Sequence, residues 1–135
     1  MDKTIAGAAL GRVYRAGRRA FAAARTSRSV DALHEWRKQA KYLARMLKAL
    51  TEEASKSKDS KRLKSLDKLG DVLGEGHDLA LLAHLENGKG GLILGPGLRG
   101  ETLAKRRAKL QKRAFALGRA SYARTPKRFV QSLGL

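Results

Sequence analysis

The stretch 33–50, LHEWRKQAKYLARMLKAL, sets one histidine, His34, and five cations, Arg37, Lys38, Lys41, Arg45 and Lys48, around a single acid, Glu35. At about 100° per residue these six basic side chains share an arc of roughly 100°, almost opposite Leu33, Trp36, Ala40, Leu43, Leu47 and Leu50. A charged arc facing away from an apolar stripe is what any surface helix shows. The pairing inside the arc is different. Arg37–Lys41 and Lys41–Arg45 are like-charge pairs at i,i+4, each costing about 0.2–0.5 kcal/mol where a Glu–Lys pair would stabilise by as much. Asp31 and Glu35 offer little relief, since their i+4 neighbours are Glu35 and Gln39. A row of imidazole, guanidinium and ammonium donors without matching carboxylates is suited to oxyanions, with Arg supplying bidentate geometry and Lys a compact charge.

The same bias recurs elsewhere. Arg12, Arg15 and Arg19 line one side of an earlier segment, and Lys105, Lys109, Lys112 and Arg119 line a later one. From Arg99 to Arg128 there are eleven cations and one acid, and the whole chain carries a formal charge of +18 from 30 Lys+Arg against 12 Asp+Glu. Charge of this size repels itself on compaction and points to a polyanionic partner. Asp67, Asp71, Glu75 and Asp78 form the one acidic row, either pairing with adjacent basic helices or orienting basic side chains towards a ligand.

Several chemistries are not supported. The chain has no cysteine, and His77 and His84 have no carboxylate at ligand spacing on their stripe, so no metal site or other cofactor is expected. GKGG at 88–91 lacks the order of a phosphate-binding loop, and no Ser-His-Asp or paired-carboxylate set is evident. A non-enzymatic binding protein is the leading expectation. A nucleic-acid-binding accessory protein is an alternative resting on charge alone, with non-specific binding to nucleic acid following from it. Trp36, Tyr14 and Phe21 lie on apolar stripes and not on a basic face where bases would stack. An enzyme acting on phosphoanhydrides through His34 or His77 is the further alternative.

Periodicity places these residues on helices at about 4–25, 30–50, 59–86 and 101–122, within one domain over 1–135. The first carries Leu10, Tyr14, Gly17, Phe21 and Ala24 on one face; Ser29 or Asp31 caps the second. The third carries Leu63, Leu66, Leu73, His77, Ala80 and His84, with both histidines read as structural, and the fourth Leu103, Leu110, Ala114 and Leu117. TEEASKSKDS (51–60) reads as a polar connector and 87–100 as a glycine-rich loop, while Thr125-Pro126 stops the last helix before a short tail. Stripes of this kind bury one another in an all-α, antiparallel four-helix bundle. No run approaches the roughly 20 apolar residues of a membrane span, and the first residues lack a secretory pattern, so a cytoplasmic protein is expected.

LHEWRKQAKYL resembles the LHxLRKxxKxLR signature of the CHAD domain, the conserved histidine α-helical domain, and LGEGHDLALL (73–82) resembles its second signature, LGxxxDLxVL. GRVYRAGRRAFAAAR and SYARTPKRF also look like parts of the second half of such a domain, so the resemblance extends over nearly the whole chain but one half of a pseudo-twofold module. It implies a helical bundle that binds inorganic polyphosphate on a basic surface, with association with polyphosphate granules. By position it implies His34, Arg37, Lys38 and Lys41 as binding residues and Asp78 as an orienting one. Arg45 stands one residue beyond the arginine of the family pattern. A half-length module implies a homodimer, or a missing second half-domain as partner.

Overall fold

The computed structural model describes residues 3–54, 57–87 and 101–135. Its elements are α1 (Lys3–Ser27), α2 (Val30–Ala54), α3 (Ser57–Asn87), α4 (Glu101–Ser121) and α5 (Pro126–Ser132). The all-helical bundle reading holds, and the long helices match their expected positions to within a few residues.

Two differences have local causes. Residues 51–54 and 57–60 are helical and not part of a connector: TEEASKSKDS contains no glycine or proline to stop a helix, and Glu52, Glu53, Ala54 and Lys58 favour one. The tail is likewise a fifth helix. Thr125 is its N-cap, with extended backbone (φ −64°, ψ 155°) and a hydroxyl that accepts from the Arg128 N–H at 3.3 Å, and Pro126 occupies the first turn, where its missing N–H costs nothing. The expected 87–100 loop falls largely outside the described residues, with Asn87 closing α3.

α1 and α2 are joined by Arg28 and Ser29. Arg28 takes the left-handed conformation (φ 53°) and donates its N–H to the Ala24 carbonyl at 2.8 Å; the Ser29 hydroxyl accepts from the Ala32 N–H at 3.1 Å and is the cap of α2. This tight reversal makes α1 and α2 antiparallel neighbours. α2 also packs on α3, α3 on α4, and α1 on α4 and α5, so α2 and α4 stand diagonally across the bundle.

The core is aromatic at one end and aliphatic along the rest. Trp36 is fully buried between Phe21 (centroids 4.9 Å) and Phe115 (5.8 Å), and Tyr14 is buried against Phe129 (4.0 Å) and Tyr122 (5.5 Å). The fit leaves no room at Gly118, where an added Cβ would lie 2.5 Å from Trp36 Cζ2. Leu10, Leu43, Leu47 and Leu69 fill the centre.

The expected stripes on α1 and α2 are buried or partly buried as anticipated. On α3 the stripe ends early, and His84 is exposed and not buried along it. Leu81 and Leu85 beside it are 51% and 47% exposed. The antiparallel register explains this: α3 runs on past the level at which α2 begins, so its last turns have no α2 surface to cover them. Among the described residues no helix is long and apolar enough to cross a membrane.

Candidate anion-binding seam

Helix α2 presents its basic arc obliquely, so one edge of it packs along α3. His34 stacks on His77, with ring centroids 4.6 Å apart and planes 25° from parallel. One turn along, Arg37 lies over Gly74: a Cβ placed there would stand 3.2 Å from Arg37 Nε and 3.3 Å from the nearer Nη. One turn further, the Lys41 stem runs past Gly70, whose added Cβ would meet Lys41 Cγ at 3.8 Å. Steps of three and four residues up α2 are matched by steps of three and four down α3, as an antiparallel helix pair requires. Two small residues a turn apart on α3 thus form a shallow floor on which two long cations of α2 lie.

Burial divides the arc. His34 and Arg37 are partly buried, whereas Lys38, Lys41, Arg45 and Lys48 are exposed. His34 Nδ1, Arg37 Nε and His77 Nδ1 are buried and have no hydrogen-bond partner among the described residues. Buried polar atoms normally have one, so this edge of α2 is held with hydrogen-bonding capacity unspent. Behind the histidines is a cavity of about 20 Å³, room for a single water, walled by Leu33, Val72, Leu73 and Leu110 and flanked by Arg107 and Gln111 of α4. Arg107 carried no sequence signal that set it apart from the other cations of α4; only the side of α4 it occupies brings it to the histidine pair.

Lys38 has an acidic partner on its own helix. Its Nζ lies 3.0 Å from Glu35, whose other oxygen accepts from Gln39 at 3.1 Å. The i,i+3 spacing supplies the partner that the i+4 positions lack. The Gln39 amide and the Lys38 ammonium hold the Glu35 carboxyl below the usual carboxylate range, and Glu35 raises Lys38. Both side chains are about half exposed, so the pair is screened and adds little stability.

On α3, Glu75 accepts from Arg106 of α4 at 2.6 and 3.0 Å, so this acid pairs with a neighbouring basic helix. Asp67, Asp71 and Asp78 are exposed and form no salt bridge with a described residue. The other cationic rows do not join the seam. Arg12, Arg15 and Arg19 are exposed on the side of α1 away from its buried face, and Lys105, Lys109 and Lys112 are exposed on α4 across the bundle from α2. Trp36, Tyr14 and Phe21 are buried as expected, and Tyr42, 46% exposed, is the aromatic side chain bordering the basic arc.

The seam therefore offers imidazole, guanidinium and ammonium groups in a line, with no carboxylate on α2 between Arg37 and Lys41 and little aromatic surface; on α3, Asp71 stands between Gly70 and Gly74. That combination suits a string of oxyanions better than a stack of bases. No curated protein and no solved structure shows significant similarity to the chain. The family model of the CHAD domain matches residues 1–86, which takes in α1, α2 and α3 with both signature stretches and leaves α4, α5 and SYARTPKRF outside the match. With 86 of its 135 residues matched, this chain belongs to the CHAD domain family.

Proposed function

We propose that the α2–α3 seam binds inorganic polyphosphate without turning it over. CHAD domains are associated with polyphosphate binding and are generally not catalytic. The observation that carries the reading is the laying of Arg37 and Lys41 along Gly74 and Gly70, in line with the His34–His77 stack. Arg37 and Lys41 supply the charge, His34 donates to a bridging or terminal oxygen, and Lys38 and Arg45 extend the row on the exposed side. Asp78, exposed and without a salt bridge to a described residue, is given no orienting contact in this reading. The rows on α1 and α4 add long-range attraction for a polymer with about one charge per phosphate.

The test is a titration of long-chain polyphosphate at physiological salt against the Arg37→Glu, Lys41→Glu double variant. The double charge reversal is expected to lower affinity at least a hundredfold, about tenfold for each charge-assisted contact; unchanged affinity refutes the assignment. In competition, polyphosphate should displace RNA at equal charge concentration and RNA should fail to displace polyphosphate. The opposite order would favour the nucleic-acid reading, and phosphate release with added Mg²⁺ or Mn²⁺ would favour an enzyme. Pairing of two copies, each taking the place of one half of a pseudo-twofold module, predicts a dimer mass by light scattering at tens of micromolar.

A further inference from the structure

At the other end of α3 a second basic site is built from residues that the seam does not use. A cavity of about 240 Å³ lies where the start of α3 meets the end of α4 and the start of α5. Lys61, Arg62 and Ser65 of α3 line one side, and Ser121 and Arg124 line the other. Three cations and two hydroxyls converge there, and no acid stands among the described lining residues. The Ser121 hydroxyl oxygen is buried and has no hydrogen-bond partner among the described residues.

This cluster is braced. Arg62 donates from Nη1 to the Ser132 hydroxyl at 2.7 Å, and that hydroxyl donates to the Phe129 carbonyl at 2.6 Å. The Arg62 guanidinium also lies over the Phe129 ring, 5.6 Å from its centroid. Phe129 stacks on Tyr14 at 4.0 Å, and the Tyr14 hydroxyl donates to the Arg124 carbonyl at 2.7 Å. One aromatic stack thus fixes both the Arg62 side chain and the Arg124 backbone. Fixing the donors before a ligand arrives removes part of the ordering cost of binding.

We propose that this cavity binds a single phosphoryl group, either free inorganic phosphate or the end of a polyphosphate chain. Its volume lies below the roughly 300–1,000 Å³ of sites for drug-sized ligands, which suits a compact tetrahedral oxyanion and not a nucleotide. Arg124 provides paired N–H donors, Lys61 a point charge, Arg62 a fixed positive charge at the wall, and Ser65 and Ser121 neutral donors that complete the oxygens. Along α3 the site lies roughly 14–20 Å from Gly74, on the side facing α4 and α5, not α2. One phosphate therefore cannot serve both, and the inference does not depend on what the seam binds.

Titration of inorganic phosphate into ¹⁵N-labelled protein, with ionic strength held constant by chloride, tests this. Saturable shifts are expected at the amides of Ser65, Ser121 and Arg124. Both Lys61 and Arg124 are exposed, so the Lys61→Gln, Arg124→Gln variant keeps the fold, and its affinity should fall at least tenfold. The Arg37→Glu, Lys41→Glu variant should leave these shifts unchanged, which separates this site from the seam. Absence of saturable shifts, or equal affinity in the Lys61/Arg124 variant, overturns the proposal. Tripolyphosphate binding more tightly than phosphate at the same amides identifies a chain end as the ligand; equal or weaker binding identifies free phosphate.

Discussion

Gly74 and Gly76 lie two residues apart on α3, and alanine at each should separate the stability of the helix from the placement of Arg37. In a helix interior, Gly→Ala stabilises by about 0.5–1 kcal/mol because the unfolded chain loses freedom. At Gly76 nothing lies within 4 Å of the added methyl, so the full gain should appear. For a domain of this size that is a rise in Tm of roughly 2–4 °C, with polyphosphate affinity unchanged. At Gly74 the methyl arrives 3.2 Å from Arg37 Nε, 3.3 Å from the nearer Nη and 3.5 Å from Cζ. The guanidinium must withdraw by a few tenths of an ångström, which a flexible side chain can do. The helical gain is therefore reduced but not reversed, and the cost falls on binding. We expect a three- to tenfold loss of affinity, the partial loss of one charge-assisted hydrogen bond of about 1.5–3 kcal/mol. Thermal unfolding and polyphosphate titration of both variants, each with and without Arg37→Ala, complete the cycle. Removing Arg37 should restore the full stability gain at Gly74 and abolish the affinity difference. Wild-type affinity in Gly74→Ala would show that Gly74 does not set the position from which Arg37 binds.

Gly118→Ala should act in the opposite sense, because its methyl meets Trp36 Cζ2 at 2.5 Å and Phe21 Cε1 at 2.7 Å, both on rigid rings in the core. Overpacking of about 1–3 kcal/mol exceeds the helical gain, and chemical denaturation should show a net loss of about 1–2 kcal/mol. Arg28 combines a left-handed backbone with a guanidinium 5.4 Å from the Phe115 centroid. Arg28→Gly relieves the first and loses the second, whereas Arg28→Ala only loses, so glycine should be the more stable by about 1 kcal/mol in the same assay. Burial raises the phenols of Tyr14 and Tyr122; nearby arginines oppose the shift at Tyr14, and at Tyr122 the Trp36 indole opposes it without forming a regular hydrogen bond. Their folded pKa values lie above the unfolded value near 10, so the unfolded chain loses these protons first, and stability falls as pH rises above about 10. Ultraviolet titration should show their tyrosinate absorbance appearing together with loss of helical circular dichroism; earlier ionisation of both in the folded protein would contradict their burial.

Composition and periodicity by themselves determined that the chain is helical, where its long helices run, and which residues of α1 and α2 face inward. These follow from local rules, the 3.6-residue repeat and the absence of proline within helices α1 to α4. The two signature stretches likewise marked the family without any coordinates. The same local rules misplaced the tail, because Thr125-Pro126 both ends one helix and starts the next, and the second role shows only once Phe129 finds Tyr14 to pack against. They also could not tell which part of a basic arc is solvated. His34 and Arg37 sit in one row with Lys38 and Lys41 by angle alone, and only the register of α2 on α3 draws the first two against His77 and Gly74. That register likewise exposes His84, which the stripe on α3 would have buried. The cavity at Lys61, Arg62 and Arg124 is further still from local reading, since its residues lie on separate elements more than 50 positions apart. Helical faces are set by neighbours a turn away, whereas a site is set by which faces the bundle brings together.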